Sequence, residues 1–337
     1  MIPIRLAIPL VCALSPLAAT SSEAPVASSE AGAARGELLA RCPIDDGPGH
    51  IVLALELQGT GPHRVLLDTG SATTVLDAEF AAQLELPTTP AGSMGGAGPG
   101  SVPIEVTPQV RISIPATEEA AGLAFTETDV AVLSLRHVLG PLASRTPERG
   151  PIVGIVGGTL LTRVVAEIDR RANLLSLFAP ESYRDPDGAL LLPMTLEAGG
   201  FPVLEGSFVP LRRGEPRDRI GGKLLLDLGA NHGLAVHWPT VQEHELVDEG
   251  DPAQSTVGAG VRLDGAVAPF RMAPAREIRI GDFALESAVI ELATGPGGAP
   301  PIDNLVGFVG TDLLKGHVTV LDYSRGRLLL VPILPVR

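Results

Sequence analysis

The chain has 337 residues, 45% of them apolar and 19% charged, enough for two cores of ordinary domain size. After an apolar N-terminal stretch it has no second hydrophobic run long enough to span a bilayer. With 39 acidic against 25 basic residues the formal net charge is −14, so there is no basic surface to displace phosphate counterions, which excludes a nucleic-acid partner. In chain order, Met1 to Arg5 gives a charged start, Leu6 to about Ala19 is apolar, and the run ends in small residues. That predicts a signal peptide over 1–19, and so export to the periplasm or beyond. Cys12 lies inside it behind Pro9-Leu10-Val11, without the small residue that lipid-attachment signals place before the cysteine. Cleavage would leave Cys42 with no partner for an internal disulfide. Residues 20–37, rich in Ala, Ser, Gly and Glu without apolar periodicity, predict a flexible spacer.

From Leu38 onward the apolar segments are short and bounded by Gly, Pro or Asp: 51–57, 64–70, 110–114, 129–135 and 174–178. This is a strand-and-turn pattern, with helices expected over 77–86 and 159–164, and the fold class is mainly β. The decisive feature is an internal repeat. Residues 152–180 and 305–332 share two apolar residues before a glycine (Gly157, Gly310), a following Leu-Leu pair, and an aspartate twelve residues after the glycine (Asp169, Asp322). Upstream, VLLDTGSATTVLD at 65–77 faces LLLDLGANHGLAV at 224–236, each a hydrophobic strand running into Asp-X-Gly. About thirty residues beyond each aspartate come Gly95-Gly96-Ala97-Gly98 and Val257-Gly258-Ala259-Gly260. The whole unit is duplicated, giving expected lobes at 38–180 and 194–337 joined by a linker at 181–193.

A strand ending in Asp68-Thr69-Gly70-Ser71, a glycine-bearing hairpin, and a later apolar-apolar-Gly segment, all present twice, resemble the pepsin and retropepsin superfamily of aspartic peptidases. The bilobal bacterial retropepsin-like members are most similar, over roughly residues 49–332. The resemblance implies two homologous acid-protease-type β-barrel lobes with the active-site cleft between them, and an endopeptidase using Asp68 and Asp227 as its catalytic pair. Two carboxylates held close cannot both ionise; they share a proton, one acting as base on a water and the other as acid. Thr69, Gly70, Ser71, Leu228, Gly229 and Ala230 would shape the loops around them. By resemblance Ser71 would hydrogen-bond the Asp68 carboxylate, whereas Leu228 stands where the family carries a hydroxyl that bonds across the lobes. Gly95, Gly96, Gly98, Gly258 and Gly260 would form flaps over substrate. The implied partner is a peptide or protein substrate bound by a monomer, with no cofactor and no metal. The alternative is a peptide- or protein-binding module whose second half-site has decayed, prompted by Leu228.

Other residues read as structural. The glycines near 95–98 lack the strand-before, helix-after context of a dinucleotide site. His232 follows Asp227 by five positions, near enough to touch the cleft, but this chemistry needs no histidine and it reads as a surface or loop residue. His237, His244 and His317 show no metal-ligand spacing. Asp185-Pro-Asp-Gly188 reads as a turn, and Asp169 and Asp322 as strand-end hairpin residues.

Overall fold

The computed structural model describes residues 12–13, 35–46, 49–95, 101–297 and 299–333, with backbone alone at 12–13, 94–95 and 101. The expected signal peptide and spacer therefore lie almost wholly outside the described residues, as do Gly96 and Gly98 of the first flap.

The fold is mainly β and built twice. In the first repeat the strands Val52–Leu57, Thr60–Leu67, Val75–Asp77, Thr89–Gly95, Ser101–Ile114, Leu123–Leu133 and Ile152–Val156 form one curved sheet. Phe201–Arg212, Ile220–Leu226, Leu234–Val236, Val257–Val261, Val267–Ile280, Phe283–Ala293 and Leu305–Val309 repeat it. The pairings repeat as well. Thr60–Leu67 runs parallel to Ile152–Val156, as Ile220–Leu226 does to Leu305–Val309. Val75–Asp77 is parallel to Leu123–Leu133, as Leu234–Val236 is to Phe283–Ala293. Ile152–Val156 and Leu305–Val309 are buried at every position, which is why both read as unbroken apolar runs rather than alternating ones.

A third sheet joins the halves, in the order Leu38–Asp45, Leu174–Phe178, Val165–Asp169, His317–Asp322, Arg327–Pro332, Leu190–Glu197. At its centre Glu167 pairs with Val320, its own counterpart in the repeat, so a quasi-two-fold axis passes between them. The strand Leu190–Glu197 begins inside the stretch expected as linker, because its apolar residues Leu190 and Leu192 complete this sheet against Leu330 and Leu328. Cys42 lies in the first of these strands, buried and unpaired.

The helix Ala78–Gln83 falls where the sequence predicts one, and Asp77 caps it by accepting from the Glu79 N–H at 2.9 Å. The helix Arg136–Ala143 was not expected; it contains Gly140 and Pro141, both poor helix formers, and is held by burying Val138, Leu139 and Leu142. Among the described residues no helix is long and apolar enough to cross a membrane.

The second-repeat hairpin departs from expectation. Gly258 and Gly260 are not at its tip but within the strand Val257–Val261, where Gly258 lies opposite Phe270 and a side chain on it would strike that ring. The tip is Arg262 to Ala266, closed by Asp264 accepting from the Ala266 N–H at 3.0 Å. Leu263 at this tip is 3% exposed and belongs to the first repeat's cluster of Val52, Leu66, Val138, Leu139 and Ile152. A Cβ on Gly265 would stand 3.0 Å from the His137 ring. The hairpin thus crosses from one half of the molecule to the other.

Candidate active site

Each Asp-X-Gly loop begins where a buried strand ends. The Asp68 N–H donates to the Val156 carbonyl at 2.9 Å and the Asp227 N–H to the Val309 carbonyl at 2.8 Å, equivalent bonds to the apolar-apolar-Gly segments. A side chain on Gly157 would strike the Ser71 carbonyl, and one on Gly310 the Ala230 carbonyl, so the twice-repeated glycine is fixed by close approach of the backbone.

The two loops meet across the quasi-two-fold axis. A Cβ on Gly70 would lie 2.9 Å from Asp227 Oδ1, and one on Gly229 would lie 2.6 Å from Asp68 Oδ2. Each carboxyl therefore rests on the other loop's glycine, and the two side chains are within hydrogen-bonding reach of each other. Both residues are almost completely buried, and neither Asp68 Oδ2 nor Asp227 Oδ1 has a hydrogen-bond partner among the described residues. Contact between two carboxyls requires a proton between them.

Burial dominates the electrostatics. It pushes the Asp68 carboxyl up from 3.8 to about 6, against the pull of the Gly70 and Gly229 N–H groups and of Asp227. Burial pushes Asp227 well above the usual carboxylate range, the Asp68 charge adds to this, and only the Gly229 N–H opposes it. The Gly70 N–H donates to Asp68 Oδ1 at 2.7 Å. The Gly70 N–H bond favours the ionised form of Asp68.

The surroundings are asymmetric. Thr69 Oγ1 donates to the Leu226 carbonyl at 2.6 Å and accepts from the Leu228 N–H at 2.8 Å, bonding one loop to the other. Leu228 has no group to return that bond; it is buried in the main core and lines a recess with Ile51, Ile168 and Leu314. Ser71 does not bond the carboxylate as expected. Its hydroxyl donates to the Thr73 carbonyl at 2.8 Å, turned away from Asp68. Beyond it, buried Glu127 accepts from the Thr74 N–H at 3.0 Å and the Thr159 hydroxyl at 2.9 Å, tying the Asp68 loop to the segment after Gly157. Ala230 is wholly buried and has no hydroxyl; its carbonyl accepts from the Thr311 hydroxyl at 3.2 Å. Gly95 ends the strand Thr89–Gly95, opposite Ser101, so the first hairpin is present up to its tip.

Two features had no signal in the sequence. Tyr323 is buried, its hydroxyl unpartnered among the described residues, with burial and then the Asp68 charge holding its phenol above the usual range. Beside Asp227 opens a recess of about 570 Å³, mouth included, walled by Trp238, Pro269, Phe270 and Phe308 with Glu291 and His232 on its lining. Burial drives His232 down to about 4, leaving it neutral. Among the described residues no group of three or more His, Cys, Asp or Glu could hold a metal ion.

No protein-family model matches the chain, and no curated protein is significantly similar to it. Among solved structures it is similar to the aspartic proteinase from Irpex lacteus, with a TM-score of 0.45 and 13% identity over 87% of this chain and 97% of that one. It is also similar to basic 7S globulin from soybean, with a TM-score of 0.42 and 10% identity over 88% of this chain and 94% of that one. Neither likeness is close enough to bear on chemistry, which has to come from the two loops.

Proposed function

We propose that the protein is an aspartic-type endopeptidase of the bilobal retropepsin-like kind, with Asp68 and Asp227 as its catalytic pair. The observation that carries this reading is the seating of each carboxyl on the opposite loop's glycine, buried and close enough to share a proton. In the singly ionised pair, Asp68 takes a proton from a water held between the carboxyls while Asp227 donates its own toward the scissile carbonyl. The water attacks directly, so no covalent intermediate forms, and the buried site strengthens each charge–dipole contact. An extended peptide would lie in the cleft between the lobes as an added strand. Lobes at 38–180 and 194–337, a monomeric state and export belong to the same proposal.

Hydrolysis in ¹⁸O-labelled water tests the mechanism: one labelled oxygen should enter the new carboxyl terminus in a single turnover, with no trapped acyl-enzyme and no effect of chelators. A covalent adduct or loss of activity on chelation would rule it out. A second reading, a binding module with a decayed half-site, draws on Leu228 and on the absence of a hydroxyl at Ala230. It predicts peptide binding without any hydrolysis.

A further inference from the structure

The recess beside Asp227 contains a group that the dyad chemistry does not use. Glu291 sits in the strand Phe283–Ala293 between Ile290 and Leu292, both of which face the main core. Strand alternation turns Glu291 and Ala293 to the opposite side, where both line the recess. The residue is 6% exposed, and it lines the recess. A carboxyl held among apolar walls costs folding free energy that a leucine there would avoid, so its place on a pocket wall next to the dyad points to a ligand.

We propose that this recess is the substrate side-chain subsite adjoining Asp227, and that Glu291 gives it a preference for a residue with an apolar stem and a cationic end, arginine or lysine. The proposal rests on the peptidase reading. The walls of Trp238, Pro269, Phe270 and Phe308 suit a methylene stem, which arginine and lysine bury while carrying their charge onward. Among the described residues no cation lowers the Glu291 carboxyl. Asp312 adds a charge that raises it, Asp227 lines the same recess, and burial lowers both His232 and His237.

The same surroundings give the preference a pH signature. Burial first, and Asp312 second, hold Glu291 up at about 7. In the unliganded protein the acid is therefore protonated on the acidic side of that value, and seating a cation against it releases that proton. The advantage of a cationic over a neutral side chain must then grow as pH rises toward 7.

The experiment is a set of peptides in which each position flanking the scissile bond carries in turn arginine or its uncharged isostere citrulline. At one position the parent protein should favour arginine by about 10- to 100-fold in kcat/KM, mainly through KM, with the ratio growing between about pH 5 and pH 7. Glu291→Gln should bring that ratio to within about threefold. An arginine preference that survives Glu291→Gln, or no discrimination at any position, overturns the proposal. If no peptide is cleaved, the peptidase reading falls by itself. The subsite is then judged by calorimetric binding of the same peptides, where arginine should bind more tightly than citrulline and release a proton only when Glu291 is present; equal binding overturns it. Should Glu291→Gln fail to fold, proton release and the pH-dependent ratio in the parent protein decide the matter alone.

Discussion

Thr69 and Leu228 occupy equivalent places in the two loops, yet only Thr69 bonds across the axis, taking the Leu228 N–H at 2.8 Å and giving its hydroxyl proton to the Leu226 carbonyl at 2.6 Å. Half of a reciprocal clasp is built from hydrogen bonds and half from packing. Thr69→Val should leave two backbone groups unpaired in a buried place and destabilise by about 1–3 kcal/mol, while Thr69→Ser should come close to the parent. Leu228→Thr looks from sequence like a repair, but Leu228 fills core volume beside Ile51, Ile168 and Leu314. Its loss should cost about 2 kcal/mol or more against a gain of about 1 from one new bond. Thermal melts of the three variants check this; a more stable Leu228→Thr would show that the packing is not what holds the second loop.

The buried pair makes stability depend on pH. Asp68 is raised from 3.8 to about 6, so between these values the folded protein binds more protons than the unfolded chain and loses stability as pH rises. Glu291, raised to about 7, acts in the same sense, whereas His232, lowered to about 4, acts in the opposite one. Asp68→Asn isolates the Asp68 contribution, because Asn can still accept the Gly70 N–H while the raised carboxyl is removed. The variant should match the parent near pH 4 and exceed its stability by roughly 3 kcal/mol at pH 7. Denaturant titrations at the two pH values measure the difference. A gap that does not widen with pH would mean that the two carboxyls are not the buried, proton-sharing pair described.

Leu263 docks the second-repeat hairpin onto the opposite half. Leu263→Ala should weaken the docking by about 2–3 kcal/mol, making the undocked hairpin about 30- to 160-fold more populated. Arg262, next to it, is then a natural reporter: trypsin should cut there far faster in the variant. Unchanged tryptic cleavage would show that the hairpin is free already.

The repeat was legible because duplication preserved the order of apolar runs, aspartates and glycines, each under a backbone constraint. Gly157 and Gly310 meet carbonyls where a side chain does not fit, and Ile152–Val156 and Leu305–Val309 must be apolar on both faces. Asp68 and Asp227, singled out by their loops, are brought together by pairing between strands far apart in sequence. What was missed depends on tertiary contacts with no local pattern. Leu263 sits in a polar turn and is buried only by residues more than a hundred positions away. Glu291 occupies an alternating strand position that ordinarily faces water, and the recess exists only once Trp238, Phe270 and Phe308 converge. Ser71 could bond either the carboxylate or the Thr73 carbonyl, and packing of the loop chose the latter. The helix Arg136–Ala143 contradicts its own Gly140 and Pro141, and burial of Val138, Leu139 and Leu142 outweighs them.

The most direct test is peptide hydrolysis by the parent, Asp68→Asn and Asp227→Asn, each shown to be folded, across a diverse peptide mixture and a pH series centred near 6. With burial raising both carboxyls, Asp68 to about 6, the singly ionised pair forms from mildly acidic to neutral pH rather than in strong acid. The parent should be most active there, and either substitution should abolish cleavage while leaving the fold intact. Full activity in Asp227→Asn, or no cleavage by the folded parent at any pH, would contradict a catalytic pair formed by Asp68 and Asp227.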